Sequence, residues 1–308
     1  MIYDLIIIGG GPAGVAAGIY AARKWLKTIL ITDEFGGQSA VSEDIQNWIG
    51  TISIHGKKLA ENLKKHLLAY AEDVVDIVEN EKVETLTQAQ NIFIAVTKNG
   101  KKYNGKNVLI TAGARRKKLN VKGAKEFDNK GLTYCASCDG PLFSNMDVAV
   151  IGGGNAGFET AAQLLAYAKS VTLLCRKQIC KADIVTVKKV AAHPNMKIIT
   201  EAEITEVKGD KFVTGISYKD LKTNKIYELP LDGVFIEIGN IPSTDFVKNI
   251  VKLDEYGRII TNHKNQQTST PGIWAAGDVT DELYHQNNIA AGDAIKAIED
   301  IYQHHTTK

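Results

Sequence analysis

A chain of 308 residues, 44% hydrophobic and 23% charged, is long enough for two ordinary domain cores. A net charge of +2 and a pI near 8.2 supply no broad basic field, which argues against nucleic acid or an anionic membrane surface as partner. Four cysteines are too few for a secreted disulfide scaffold of this length, no signal-peptide pattern precedes Tyr3, and the longest apolar runs are strand-sized, so the expectation is a cytoplasmic protein with no membrane span.

Residues 5–8, Leu-Ile-Ile-Ile, stop at Gly9-Gly-Gly11-Pro-Ala13-Gly14, and an Ala-rich stretch follows over 15–24. The pattern predicts strand, tight turn and helix. Gly9, Gly11 and Gly14 keep the G-x-G-x-x-G spacing: the first permits the turn, the second lets backbone approach a phosphate, and the third lets helix meet strand. A helix N-terminus then faces the anion. A second strand over 28–32 closes a βαβ unit and ends at Asp33-Glu34, where a carboxylate suits a ribose hydroxyl. Together these predict a dinucleotide site.

Phe35-Gly36-Gly37-Gln38 reads as a loop, followed by Asn47-Trp48-Ile49-Gly50 and an amphipathic helix over about 57–71. Residues 74–97 alternate short strands and turns, which suggests a small antiparallel sheet, and 107–111 is a buried strand ending at Ala112-Gly113. The run Arg115-Arg116-Lys117-Lys118 is read as a solvated linker at a domain boundary. Next comes Tyr134-Cys135-Ala-Ser-Cys138-Asp139-Gly140, with two thiols three positions apart that can close and reopen a small disulfide ring. The same spacing also serves as half a zinc site, for which Cys175 and Cys180 are the other thiols in the chain.

The strongest organisational signal is an internal repeat. Asp4-Leu-Ile-Ile-Ile-Gly-Gly-Gly-Pro-Ala-Gly14 returns as Asp147-Val-Ala-Val-Ile-Gly-Gly-Gly-Asn-Ala-Gly157, identical at seven of eleven positions. The second βαβ is expected over 148–151, 156–168 and 171–175, which makes two dinucleotide sites in one chain. Strand and hairpin elements are expected at 196–200, 203–207, 213–219 and 226–230, and a buried strand at 233–239. A last strand runs over 272–279 into Gly277-Asp278, and a helix follows over about 287–302.

Gly9 to Gly14, Phe35 to Gln38, Cys135 to Asp139, Gly152 to Gly157 and Gly277-Asp278 together resemble the low-molecular-weight thioredoxin reductase family across essentially the whole chain. Lys130-Gly-Leu-Thr-Tyr-Cys-Ala-Ser-Cys-Asp-Gly-Pro-Leu-Phe143, Lys181-Ala-Asp183 and Gly233-Val-Phe-Ile-Glu-Ile-Gly239 are also similar to the flavoprotein subunits of bacterial alkyl hydroperoxide reductases. Those subunits carry an extra N-terminal redox domain, which a first strand at Tyr3 leaves to be expected on a separate protein.

The resemblance implies an α/β fold of two Rossmann-like, three-layer domains, the second inserted in the first. Residues 1–116 and 241–308 would bind FAD, and residues 117–240 would bind NAD(P)H and carry the redox cysteines. It assigns Gly9, Gly11, Ala13 and Gly14 to the FAD pyrophosphate, with Asp33, Gly37, Gln38, Asn47, Ala112, Gly113, Gly277, Asp278, His285, Gln286 and Ala290 elsewhere around the flavin nucleotide. Gly154, Asn155, Ala156 and Glu159 fall to the nicotinamide nucleotide, and Arg176, Lys177 and Lys181 to a 2′-phosphate, so that NADPH is expected over NADH. His285 stands where the family has an arginine, and Thr160 where it has a second acid.

The implied reaction is a disulfide reduction with Cys135 and Cys138 as the redox pair and Asp139 as proton donor and acceptor. A helix N-cap is the structural role open to the same aspartate. The implied partner is thioredoxin, a glutaredoxin-like protein or a peroxiredoxin-system protein, the implied assembly a homodimer, and the inserted domain is expected to rotate during turnover. The alternatives are an NADH-dependent reductase of a peroxiredoxin system, the same fold fed by ferredoxin or reduced flavin, a zinc module, and a non-catalytic redox sensor.

Overall fold

A computed structural model describes residues 1–42, 45, 47–134 and 136–306. The chain divides into two compact units, Met1–Arg115 with Ile241–Lys308, and Arg116–Asn240.

The first unit begins with β1 (Ile2–Gly10), α1 (Pro12–Arg23), β2 (Thr28–Phe35) and α2 (Gly56–Ala71). It continues through β3 (Val75–Val78), β4 (Val83–Ala89), β5 (Ile92–Thr97) and β6 (Lys102–Ile110), and leaves by β7 (Ala114–Arg116). The second holds β8 (Leu132–Thr133), α3 (Ala136–Asp139), β9 (Asp147–Ile151), α4 (Asn155–Leu164), β10 (Ser170–Cys175), α5 (Ile184–Ala191) and β11 (Met196–Thr200). It ends with β12 (Ala202–Gly209), β13 (Val213–Asp220), β14 (Ile226–Pro230) and β15 (Gly233–Ile236). After β16 (Asn240–Pro242) the chain returns to the first unit for β17 (Ile273–Ala275) and α6 (Asn287–Thr306).

Alternation along the strands builds each core. In β1, Leu5 and Ile7 face one side of the sheet and pack with Leu59, Leu63 and Leu67 of α2 and Ala294, Ile298 and Ile301 of α6. Ile6 and Ile8 face the other side with Ile29, Ile31, Phe93 and Val247. Successive strand side chains point to opposite faces, so a continuous apolar run buries both. The strands β3, β2, β1, β6 and β17 run parallel, and β5 and β4 continue the same sheet antiparallel from β6. Residues 74–97 therefore form no separate antiparallel sheet: β3 joins the parallel core and β4–β5 extend its edge.

The second unit repeats the plan around a parallel sheet ordered β11-β10-β9-β15-β8. Val148 and Val150 of β9 pack with Phe158, Ala161 and Leu164 of α4. Ala149 and Ile151 face Ile204, Val207 and Ile216 of the antiparallel β12-β13-β14 layer. Three expected elements are shorter than read: α4 stops at Leu164, β15 stops at Ile236, and the last strand, β17, covers only Ile273–Ala275. Helix α5 has no counterpart among the expected elements. Its β-branched start, Ile184-Val-Thr-Val187, lacks helical periodicity, and the helix is set by its cap: Asp183 Oδ1 accepts from the Val185 and Thr186 amides at 2.9 and 3.3 Å.

Candidate functional site

The first glycine loop joins β1 to α1. Gly9 has φ +117°, and a Cβ there would lie 2.3 Å from the Thr111 carbonyl oxygen. A Cβ on Gly14 would lie 1.8 Å from the Gly9 carbonyl oxygen, so only glycine lets α1 start this close to the strand. Gly11 differs: its backbone is extended, and a Cβ would meet nothing within 4 Å. Pro12, the first helical residue, lacks only an amide that the helix leaves unpaired. Thr111 bolts the loop to β6, its hydroxyl lying 3.0 Å from each of the Ile8 and Gly9 carbonyl oxygens.

The open side of Gly11 faces a cavity of about 660 Å³, within the size range of small-molecule and cofactor sites. Gly9, Gly11, Ala13, Asp33, Gly37 and Gln38 line it, and so do Ala112, Gly113, Gly277, Asp278 and Ala290. A Cβ on Gly277 would stand 3.1 Å from Ala290 Cβ and 3.5 Å from Ala13 Cβ, so segments near the two ends of the chain meet there. Gly14 lies beneath the loop rather than on the cavity. Asn47, His285 and Gln286 are not in its lining: Asn47 Nδ2 donates to Gln286 Oε1 at 2.8 Å, and His285 Nε2 is 2.9 Å from the Glu282 carbonyl. The structure adds lining from residues 81–85, for which the sequence has no local signal. The second strand also runs to Phe35 rather than to residue 32, so Asp33 and Glu34 stand within its exposed end.

The second loop reproduces the first. Gly152 has φ +139°, with a Cβ position 2.0 Å from the Glu237 carbonyl oxygen. The Gly157 Cβ position is 2.0 Å from the Gly152 carbonyl oxygen, and Gly154 faces open space. By the rule for open parallel sheets, the crevice between β9 and β15, where strand order reverses, is where ligand belongs. Asn155, Ala156 and Glu159 are exposed on the first turns of α4. Asn155 Oδ1 accepts from the Asp183 amide at 2.7 Å. Thr160 is buried and donates to Glu237 Oε1 at 2.9 Å. Burial pushes the Glu237 carboxyl up, against the pull of that hydrogen bond and of the Arg116 charge.

Arg176, Lys177 and Lys181 are all exposed after β10, and the Lys181 amide donates to the Gly153 carbonyl at 2.8 Å. Arg176 Nη2 lies 2.9 Å from Glu203 Oε1. Cys175 and Cys180 sit behind the loop, their sulfurs 2.3 and 3.2 Å from the Cβ position of Gly153. Burial and the hydrogen bond with Cys175 push the Cys180 thiol up to about 12, which removes it as a nucleophile.

Of the redox turn, Cys135 and the side chain of Cys138 lie outside the described residues; the backbone of Cys138 is within α3. Asp139 is half-buried and accepts a hydrogen bond from the Thr133 hydroxyl. It precedes the short 3-10 turn Gly140–Phe143 but its side chain caps nothing there, so the N-cap role is replaced by the bond to Thr133.

The family model for pyridine nucleotide-disulphide oxidoreductases matches residues 3–295. The chain belongs to that family. It is 39% identical over 295 residues to the NADH dehydrogenase of Bacillus subtilis (strain 168), covering 96% of this chain and 57% of that one. It is 41% identical over 295 residues to a subunit of the alkyl hydroperoxide reductase of Staphylococcus epidermidis, again covering 96% and 57%. The chain thus spans little more than half the length of these curated relatives. Among solved structures it is similar to the thioredoxin reductase of Lactococcus lactis, with TM-score 0.83, 31% identity and coverage of 99% and 100%. The thioredoxin reductase of T. acidophilum has TM-score 0.80, 37% identity and coverage of 99% of each chain.

FAD and a nicotinamide dinucleotide are the cofactors of a pyridine nucleotide-disulphide oxidoreductase of this kind. The residues present fit both: each glycine loop keeps its middle glycine free of neighbours, so that phosphate oxygens have room beside a helix N-terminus.

Burial raises the Asp278 carboxyl, and the charge of His285 lowers it. A carboxyl whose folded pKa is raised costs the apoprotein stability once ionised; the cost is present above the folded pKa and disappears as pH falls below the unfolded one. Asp278→Asn is expected to raise the melting temperature of the apoprotein at mildly alkaline pH, with a smaller gain at mildly acidic pH. Scanning calorimetry at both pH values tests this, and a variant less stable than wild type at alkaline pH contradicts it.

Proposed function

We propose that the protein is a thioredoxin reductase-like flavoenzyme, with Met1–Arg115 and Ile241–Lys308 holding FAD and Arg116–Asn240 holding NADPH and the redox pair. The overall reaction takes NADPH, a proton and a protein disulfide to NADP⁺ and a protein dithiol. The observation that carries this reading is the duplicate loop geometry, in which Gly11 and Gly154 are each left open while their flanking glycines are locked against backbone. Bound FAD supplies the carrier between a hydride donor and a disulfide.

Each step then falls to named groups. The loops 9–14 and 152–157 would hold the two pyrophosphates at helix N-termini. Cys138 receives the electron pair as the Cys135–Cys138 disulfide opens, and the Cys135 thiolate attacks the partner's disulfide, forming a mixed disulfide that Cys138 resolves. Asp139, its carboxylate oriented by Thr133, gives and takes the proton of this cycle. Arg176, Lys177 and Lys181 supply positive charge for a 2′-phosphate, and the local run holds no acid before Asp183. The partner is thioredoxin, or a glutaredoxin-like or peroxiredoxin-system protein, and the working form is a cytoplasmic homodimer.

A second reading, an NADH-fed reductase of a peroxiredoxin system, is favoured by the Glu203 carboxylate on Arg176 and by the names of the relatives. A panel of purified disulfide partners, each assayed for consumption of NADPH and NADH, tests both. Turnover with a thioredoxin-like partner and a higher kcat/KM for NADPH is expected. No partner-dependent consumption of either nucleotide would overturn the activity, and a higher kcat/KM for NADH would overturn the cofactor assignment.

A further inference from the structure

An acid that pairs with the basic run after β10 is invisible to local reading, because it arrives from another strand. β11 lies parallel to β10 with Thr200 opposite Cys175. Glu201, with φ +55°, turns the chain at once into β12, and its amide donates to the Lys177 carbonyl at 3.3 Å. The turn is thereby tied to the basic segment, and Glu203 is delivered beside Arg176 with Nη2 and Oε1 2.9 Å apart. Glu201 is occupied elsewhere, on Lys222 at 2.8 Å. The Arg176 side chain is 74% exposed and that of Glu203 38%, so the pair is an exchangeable surface contact rather than a locked one. Lys219 stands directly across from Glu203 on β13, a second cation within the cross-strand neighbourhood of the carboxylate once Arg176 turns away.

We infer that Glu203 is a specificity-determining residue for the nicotinamide nucleotide, holding the Arg176 guanidinium and so limiting the advantage of a 2′-phosphate over a 2′-hydroxyl. The inference rests on the reading of residues 152–157 as the nicotinamide-nucleotide loop. Guanidinium matches phosphate in planar, two-pronged geometry, and a carboxylate already on that fork competes for it. The same carboxylate repels a phosphate dianion and acts far less on an uncharged ribose hydroxyl. One ion pair therefore weighs against the phosphorylated nucleotide and leaves the other nearly unaffected.

The test uses the flavin-loaded enzyme and two probes that differ only by the phosphate, adenosine 2′,5′-bisphosphate and adenosine 5′-monophosphate, titrated by calorimetry. Glu203→Gln is expected to tighten the bisphosphate by about threefold to tenfold, the scale of an exposed ion pair plus one like-charge repulsion, with the monophosphate changed by less than about twofold. In an Arg176→Ala background most of that gain is expected to vanish, since the two residues act as a couple. Steady-state kinetics of Glu203→Gln should move the NADPH-to-NADH ratio of kcat/KM in the same direction, through KM. An unchanged or weaker bisphosphate affinity, equal gains for both probes, or an undiminished gain without Arg176 would each overturn the role of Glu203. Wild-type enzyme that binds neither probe nor NADPH would instead overturn the underlying site, a result distinct from any of these.

Discussion

Replacing Cys135 or Cys138 by serine is expected to lower reduction of a protein disulfide by about a thousandfold or more, while reduction of the bound flavin by NADPH continues. The reason is chemical. Opening a partner disulfide takes one thiolate to attack and a second to resolve the mixed disulfide, and a serine performs neither step. The proposed nicotinamide site needs neither thiol, because its loop, 152–157, is built from the β9–α4 turn. Stopped-flow absorbance of the flavin and partner-dependent NADPH consumption separate the two halves of the reaction. Either variant turning over partner near the wild-type rate would remove this pair from the mechanism.

Gly11→Val and Gly154→Val are expected to fold normally and to lose one cofactor each. At both positions the backbone is extended and a Cβ meets nothing within 4 Å, so a side chain there starts in open space. Under the proposed function, that space is where a pyrophosphate touches the backbone. Losing one or two hydrogen bonds to a charged oxygen costs about 2–4 kcal/mol, or roughly thirtyfold to a thousandfold in affinity. Gly11→Val is expected to purify largely without FAD, and Gly154→Val to keep FAD but bind NADPH weakly. Gly14→Ala is the contrast, because its Cβ would lie 1.8 Å from a backbone oxygen and the fold itself must shift. Flavin content after gel filtration, calorimetric NADPH titration and apoprotein melting temperatures distinguish the three. A flavin-loaded Gly11→Val, or a Gly154→Val that loses FAD, would reverse the assignment of the loops.

The parts of the fold that are legible in the sequence are those whose cause is local. A glycine required at φ +117° or +139°, an apolar run before it and an Ala-rich stretch after it are all written within about a dozen residues, and both βαβ units stand where that pattern places them. What escapes a local reading depends on contacts between distant segments. The strands β4 and β5 have the alternation of an independent hairpin, and only pairing with β6 makes them the edge of the main sheet. Thr111 is an ordinary strand-end residue until its hydroxyl reaches Ile8 and Gly9. Residues 81–85 line the first cavity without a motif. The basic run after β10 reads as free of acids because Glu203, more than twenty residues on, returns to it through the β11–β12 turn. Thr160 reads in sequence as the loss of an acid, and in the fold it holds Glu237, an acid supplied just after β15. Side-chain partners set by tertiary return are the class of information that periodicity does not carry.

The most direct test of the whole account is an anaerobic titration of the FAD-loaded enzyme with NADPH, following flavin absorbance and, in the same samples, alkylation of each cysteine by mass spectrometry. NADPH is expected to bleach the flavin, with Cys135 and Cys138 becoming alkylated together as reductant is added, while Cys175 and Cys180 do not change their labelling. Bleaching with no change at Cys135 and Cys138, or thiols appearing without the flavin, would contradict it.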